Sequence, residues 1–306
     1  MEYAINDEKE TLMENKYNNE SKLAIIILNY NTWELTHQFI RNQLSKLNLP
    51  RDTQIIVIDN ASSNDSAIKL QQAAQQLDYV FIESKRNVGY AAGNNIAMEW
   101  AYEHGYKYGW ITNTDIEFED SETVNNMLEV FSKDPDIAVV SPRVFTKSGM
   151  ETNRNLFRPS VYDLTFGKIH FRKKGRTVPQ TLKGIDDTYC YNYRSQGCCM
   201  VVDLSILHQV NFMDEHTFLY MEEPILAERL KTIGVKEGCA LNTIVVHNHS
   251  TTVASVAKRK QIYKWQIESE IYYYKQYRHF NGFQIWLCTC FTWLYFWVVM
   301  SMKRFN

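Results

Sequence analysis

The chain has 306 residues, 45% of them hydrophobic, with 33 Lys plus Arg against 35 Asp plus Glu and a net charge of −2. That is apolar material for one large domain or two closely packed halves. No basic excess exists to drive binding to a phosphate backbone, which excludes nucleic acid as a partner on global charge.

Residues 1–21 are polar, rich in Asn, Glu and Lys, and read as a disordered leader. The first apolar stretch, Leu23 to Leu28, is too short for a signal peptide and follows polar sequence, so the bulk of the chain is expected in the cytoplasm. The six cysteines lack paired CxxC spacing and read as reduced thiols. From Lys22 onward, short apolar runs alternate with helical segments. "KLAIIIL", "QIIVID", "YVFIE", "GWITNT" and "DIAVVS" read as buried strands. Between them, helices are predicted over Ser66 to Leu77, over Ala91 to His104 with Gly105 as stop, and around Val124, Met127, Leu128 and Phe131, with Ser121 as N-cap. This alternation is the pattern of a doubly wound α/β sheet.

In such a sheet ligands bind beyond the carboxyl ends of the strands. The segments there are "NYNTWE", "DNASSND", "SKRNVGYAAGNN" and "NTDIEF". One such turn is ordinary loop chemistry; four on one edge point to a site. The chain has neither GxGxxG at the first helix nor GxxxxGK[ST] anywhere, so it is no obvious nicotinamide enzyme or P-loop NTPase. Asp115 and Glu117 instead offer hard oxygen ligands at a strand end, suited to Mg²⁺ or Mn²⁺ bridging a diphosphate.

The ordered blocks "ILNYNTWELT", "VIDNASSNDS", "RNVGYAAGNNIAM", "ITNTDIEF", "GCCMVVDLSILHQVNFMDEHTFLYMEEPILAERL" and "VVHNHS" resemble family 2 glycosyltransferases of the GT-A fold, in particular their rhamnosyltransferase-like branch. The resemblance covers roughly residues 22 to 280. It implies a GT-A type doubly wound, mostly parallel sheet with helices on both faces. It also implies roles. Asp59 matches the residue that contacts the nucleotide base, and Tyr30 and Asn31 the turn lining the base pocket. Asn87, Gly89 and Asn94 match the loop along ribose and phosphates. Asp115 matches the metal-binding aspartate, with Thr114 where the family often has Pro or Asp, and Glu117 is a second candidate ligand. Of two histidines after "NTIVV", His247 ranks just ahead of His249 as a residue near the diphosphate or the metal.

"MEEPILAERLKTIG" reads as a helix from about Pro224 to Ile233, closed by Gly234. Glu222 and Glu223 fall at its entrance, where the helix dipole favours an ionised carboxylate. The family usually writes this motif Glu-Asp, its second residue being the general base; here that position is Glu223, with Glu222 as the fallback or as an acceptor-orienting residue.

Residues 258–279 are basic and aromatic, and Phe283 to Met302 carry no charge. The aromatic content favours an amphipathic, membrane-associated helix lying at the interface; a true span ranks second and a dimer or core helix third. The expected organisation is a leader (1–21), a nucleotide-sugar-binding half (22–145), an acceptor-binding half with the base (146–257) and a membrane-associated segment (258–306). The expected activity is inverting, metal-dependent transfer from a nucleotide-diphosphate sugar to a glycan or polyprenyl-linked acceptor in surface polysaccharide assembly. It is placed at the inner face of the cell membrane, with a homodimer possible. A catalytically inactive sugar-nucleotide-binding scaffold is the alternative. A nucleotidyltransferase would need a Gly-rich basic loop that "NYNTWE" lacks.

Overall fold

The computed structural model describes residues 22–152, 155–169, 178–248 and 256–302. The expected disordered leader and His249 lie outside the described residues.

The strands are β1 (Leu23–Asn29), β2 (Thr53–Asp59), β3 (Tyr79–Glu83), β4 (Tyr108–Thr112), β5 (Ile116–Phe118), β6 (Ile137–Thr146), β7 (Tyr189–Asn192), β8 (Cys199–Asp203) and β9 (Lys236–His247). They form one sheet in the order β3-β2-β1-β4-β8-β6-β9-β5, with β7 paired to β9. β1 shows why the strand sequences are continuously apolar. Leu23, Ile25 and Ile27 enter the core on one face while Ala24 and Ile26 enter the core on the other, all fully buried. Helix α1 (Trp33–Asn42), α2 (Ser66–Ala73) and α4 (Thr123–Lys133) cover the first face, through residues such as Phe39, Leu70 and Met127. Helix α3 (Tyr90–Glu103), α7 (Leu204–Gln209) and α8 (Glu222–Thr232) cover the second, through Ala97, Met98, Leu207 and Leu226. Two short helices, α5 (Val161–Leu164) and α6 (Phe166–Ile169), lie between β6 and β7.

The doubly wound architecture is as expected, but parallel pairing is not uniform. β3, β2, β1 and β4 are parallel, whereas β8 runs antiparallel between β4 and β6, and β9 is parallel only to β6. That reversal matters for the site. Parallel register pairs Asn29 with Asp59 and Asp59 with Glu83, so three turns leave on one edge. Antiparallel register pairs Thr112 with Cys199, which returns the start of β8 to that same edge. β5 pairs Ile116 with His247, which brings the end of β9 there too. The expected half-boundary at 145 falls at the end of β6, and both halves contribute strands to the same sheet.

Two local starts differ from expectation. Ser121 is not the cap of α4: the cap position is Glu122, and Ser121 meets Asn48 instead. α8 begins at Glu222, two residues before Pro224, preceded by Tyr220 and Met221 at φ 71° and 70°. Two consecutive non-glycine residues in the left-handed region are uncommon, and the surrounding contacts must hold them there.

The C-terminal helices α9 (Val256–Gln276) and α10 (Gly282–Met302) pack on this body. Tyr272 and Tyr277 donate to Asp214, whose carboxyl is held down at about 2 although burial opposes it, chiefly by the Tyr277 hydroxyl and by His216. Arg158 forms a bidentate pair with Glu228 at 2.6 and 2.8 Å, and Tyr193 links Glu228 to Tyr273. α10 buries Cys288, Thr292 and Phe296, one residue per turn, and Thr292 donates to Glu270 of α9 at 2.6 Å. Its opposite face is open: Phe283, Trp286, Trp293 and Trp297 are exposed. Among the described residues no helix is long and apolar enough to cross a membrane.

Gly89, at φ 89°, precedes α3 and faces Phe218: an added Cβ would stand 2.3 Å from the Phe218 carbonyl oxygen. Gly89→Ala combines left-handed strain with that clash, and should cost at least about 2 kcal/mol. Urea unfolding of the purified protein measures it.

Candidate functional site

The turns after β1 and β2 are laced to one another. Asp59 ends β2 with its carboxylate accepting Asn29 Nδ2 at 2.8 Å, Ser62 N at 2.8 Å and Ser62 Oγ at 2.6 Å. It is fully buried, so in this structure it joins the β1 and β2 turns and presents no open oxygen. Asn31, at φ 61°, accepts Ser63 N at 2.8 Å, which clips the same two turns at their tips. Beside it Tyr30 holds an exposed ring. Asn60 donates to Asn87 at 3.1 Å and to Gly89 O at 3.0 Å, and accepts Val88 N at 3.0 Å. These bonds shape the loop entering α3, which borders a cleft of about 290 Å³ lined by Arg86, Asn87, Val88, Ala92 and Glu215. Asn94 lies inside α3, fully buried, with its amide on Tyr90 O at 2.9 Å.

Asp115 follows β4 in the turn to β5, next to the half-buried Thr114. His247 Nε2 stands 3.1 Å from Asp115 Oδ1. The pair is off the line of a hydrogen bond, so this buried oxygen has no hydrogen-bond donor among the described residues. A carboxylate and an imidazole facing each other in this way fit a shared divalent cation, with the remaining positions left to a diphosphate. Glu117 does not join them: it pairs with Lys147 at 3.1 Å and accepts Asn248 at 3.2 Å. On β5 it alternates with the buried Ile116 and Phe118, so its side chain leaves on the other side of the strand. Among the described residues no three His, Cys, Asp or Glu side chains form a metal cluster, and of Asp115, Glu117 and His247 only Asp115 and His247 face each other.

The two glutamates of α8 are separated by their surroundings. Glu223 is a quarter exposed; Oε1 accepts Gly197 N at 3.1 Å and Oε2 lies 3.6 Å from Arg194 Nη1. Glu222 is 5% exposed, its Oε1 has no hydrogen-bond partner among the described residues, and burial together with the charge of Glu223 raises its carboxyl. Glu223 is therefore the accessible carboxylate, with a backbone N–H on one oxygen and the Arg194 guanidinium near the other. Cys198, next to Gly197, connects this end to the turn that carries Asp115: its carbonyl accepts the N–H of Asn113 at 2.9 Å. Burial, Cys199, Glu223 and Asp115 together push its thiol well above the ordinary value.

Sequence reading missed Arg194, Gly197 and Tyr90, whose hydroxyl donates to Gly197 O at 2.8 Å, and the buried Glu237. Only the isolated Arg-Ser-Gln-Gly run before an apolar strand hinted at a turn there.

Residues 24–195, more than half of the chain, match the family model described as Glycosyl transferase family 2. The low-salt glycan biosynthesis hexosyltransferase Agl10 of Haloferax volcanii is 24% identical over 242 residues, 79% of this chain and 72% of that one. Mannosyltransferase PcManGT from Pyrobaculum calidifontis, solved with GDP-Man and Mn²⁺, superposes with a TM-score of 0.54 at 16% identity, over 82% of this chain and 61% of that one. GalNAc-T7, solved with UDP, GalNAc and Mn²⁺, gives 0.56 at 12% identity, over 83% of this chain and 50% of that one. The chain thus spans less than two thirds of either solved protein, and the likeness establishes the GT-A fold.

Two measurements test the site. Burial raises the Glu237 carboxyl to about 8, so its neutral form is the one the fold favours. Stability linked to it is present below the ordinary carboxylate value of about 4.3 and is lost as pH rises toward its folded value. Melting temperature should fall across that interval, and Glu237→Gln should flatten the slope. Asp115→Asn should weaken Mn²⁺ binding at least about tenfold by titration calorimetry, with the circular dichroism spectrum unchanged; unchanged affinity removes Asp115 from the metal site.

Proposed function

Because the chain belongs to glycosyl transferase family 2, we propose that it transfers a hexosyl or deoxyhexosyl group, with inversion, from a nucleotide-diphosphate donor to a hydroxyl of a glycan acceptor. The observation that supports this best is Glu223, an accessible carboxylate that accepts Gly197 N–H and faces Arg194, at the start of β8, which pairs there with the end of β4 before Asp115. The acceptor hydroxyl gives its proton to Glu223 as its oxygen attacks the anomeric carbon. The bond from that carbon to the diphosphate oxygen breaks, and the nucleoside diphosphate leaves with the electron pair. One displacement inverts the centre, so one carboxylate suffices. Asp115 and His247 are the residues that would hold Mg²⁺ or Mn²⁺, and the bound ion would neutralise charge on the leaving diphosphate. The nucleotides and Mn²⁺ found with PcManGT and GalNAc-T7 support this reading.

The loop Asn87–Gly89 and the turn Tyr30–Asn31 would receive the nucleotide, with Asp59 setting the shape of that turn. The name of Agl10 favours a hexose, and the rhamnosyltransferase-like motifs a deoxyhexose. The acceptor is taken as lipid-linked and destined for surface polysaccharide. Support comes from the open face of α10, where Trp286, Trp293 and Trp297 suit the headgroup level of a bilayer at the inner side of the cell membrane. Co-flotation with anionic lipid vesicles, lost in a Trp286→Ser, Trp293→Ser, Trp297→Ser triple variant, tests that placement; dimers in light scattering with no flotation assign the face to a second copy.

The deciding assay offers GDP-mannose, UDP-linked hexoses and dTDP-rhamnose with Mn²⁺ and follows nucleoside diphosphate release. Binding without release favours the inactive scaffold. With the accepted donor, Glu223→Gln should cut turnover by about 10²- to 10⁴-fold while donor affinity survives. Glu222→Gln should cost less, since its buried carboxyl is already disposed to be neutral. Near wild-type turnover in Glu223→Gln would falsify the base assignment.

A further inference from the structure

We propose that Glu237 is a positioning residue for Glu223, acting through the Arg194–Gly197 turn; the inference rests on Glu223 being the base. Glu237 sits on β9, 4% exposed. Its Oε2 accepts the N–H of Ser195, 42 residues away, and its Oε1 has no hydrogen-bond partner among the described residues. The turn it grips carries both groups that hold the base: Gly197 N at 3.1 Å from Glu223 Oε1 and Arg194 Nη1 at 3.6 Å from Oε2. The two ends of the turn are tied elsewhere. Asn192 donates to Arg194 O at 3.1 Å, and Tyr90 donates to Gly197 O at 2.8 Å. Ser195, between these ties, is fastened to Glu237.

An apolar residue at 237 would fill the same volume but leave the Ser195 N–H buried without an acceptor, and the turn would shift to satisfy it. The choice of a carboxyl has a further consequence. Burial holds Glu237 toward its neutral form, opposed by Ser195 and Arg194 and assisted by Glu223. A neutral acid accepts the N–H through its carbonyl oxygen without drawing the Arg194 guanidinium away from Glu223. The titratable and charged groups around Glu223 are then Arg194 from the turn, Glu222 on its own helix, Tyr90 from α3, Cys198 before β8 and Glu237 from β9.

The test uses the full chain, Mn²⁺ and the sugar nucleotide selected above, reading GDP, UDP or dTDP release. Glu237→Gln keeps the acceptor oxygen and the volume, and should stay within about threefold of wild type. Glu237→Met removes the acceptor and should lower kcat by about 10- to 100-fold at unchanged donor KM, the cost of a misplaced catalytic group. Glu237→Asp, which keeps a carboxyl but withdraws it by one methylene, should lose kcat in part and serves if the Met variant does not fold. The decisive arm is the double variant. In the Glu223→Gln background Glu237→Met should cost less than about twofold, because an effect exerted through the base vanishes with the base. Wild-type kcat in both Glu237→Met and Glu237→Asp overturns the inference. So does a loss that persists in full without Glu223, which would make Glu237 a purely structural residue. If Glu223→Gln is inactive and Glu237→Met is not, only this inference fails; an active Glu223→Gln removes the base reading and this inference with it.

Discussion

The Phe218 carbonyl accepts the N–H of Tyr90 at 3.0 Å, at a point where only a glycine at position 89 leaves room for it. That one contact joins the loop before α3 to the segment that leads into α8. The chain then passes through Tyr220 and Met221 in left-handed backbone and emerges with Glu222 and Glu223 in the first turn of the helix. Strained backbone of this kind persists only where its surroundings over-determine it. Here Ser269 donates to Leu219 O at 2.9 Å, Trp265 lies 4.4 Å from the Phe218 ring, and Ile225 packs among Tyr273, Tyr274 and Cys288. Glu223 is thus placed from two directions, by the loop before α3 and by the C-terminal helices.

Electrostatics then divides labour among carboxyls that the sequence writes alike. Glu222 and Glu237 are buried, and burial is the largest cause holding each toward its neutral form. Glu223 lies between them, partly open and facing a guanidinium and a backbone N–H. Glu117 looks away to Lys147.

α9 has a second role beside closing the core. It carries Ser269 and Trp265 to the segment Phe218–Leu219 and pairs with α10 through Glu270 and Thr292. The aromatic face of α10 therefore connects, by contiguous packing through Cys288, Tyr274 and Ile225, to the helix that bears Glu223.

Much of this was legible in residue order. The β1 pattern of apolar residues facing both ways, the polar turns after four strands, Asp115 at a strand end and the Glu pair before a helix follow from local chemistry and spacing; they sufficed for the fold class, while the family rested on the resemblance of six ordered blocks. What sequence alone left open was direction and partnership. Whether β8 runs parallel or antiparallel decides that Gly197 and Arg194 meet Glu223, yet short apolar runs read the same either way. Asp115 and Glu117 are two residues apart and look like one ligand pair; the register of β5 against β9 turns one toward His247 and the other toward Lys147. Glu222 and Glu223 are adjacent and chemically identical, and only tertiary packing buries one and opens the other. Local pattern determines which elements form, because propensity and periodicity act over a few residues. Long-range register and burial decide which side chains become a site, because those contacts join residues dozens of positions apart.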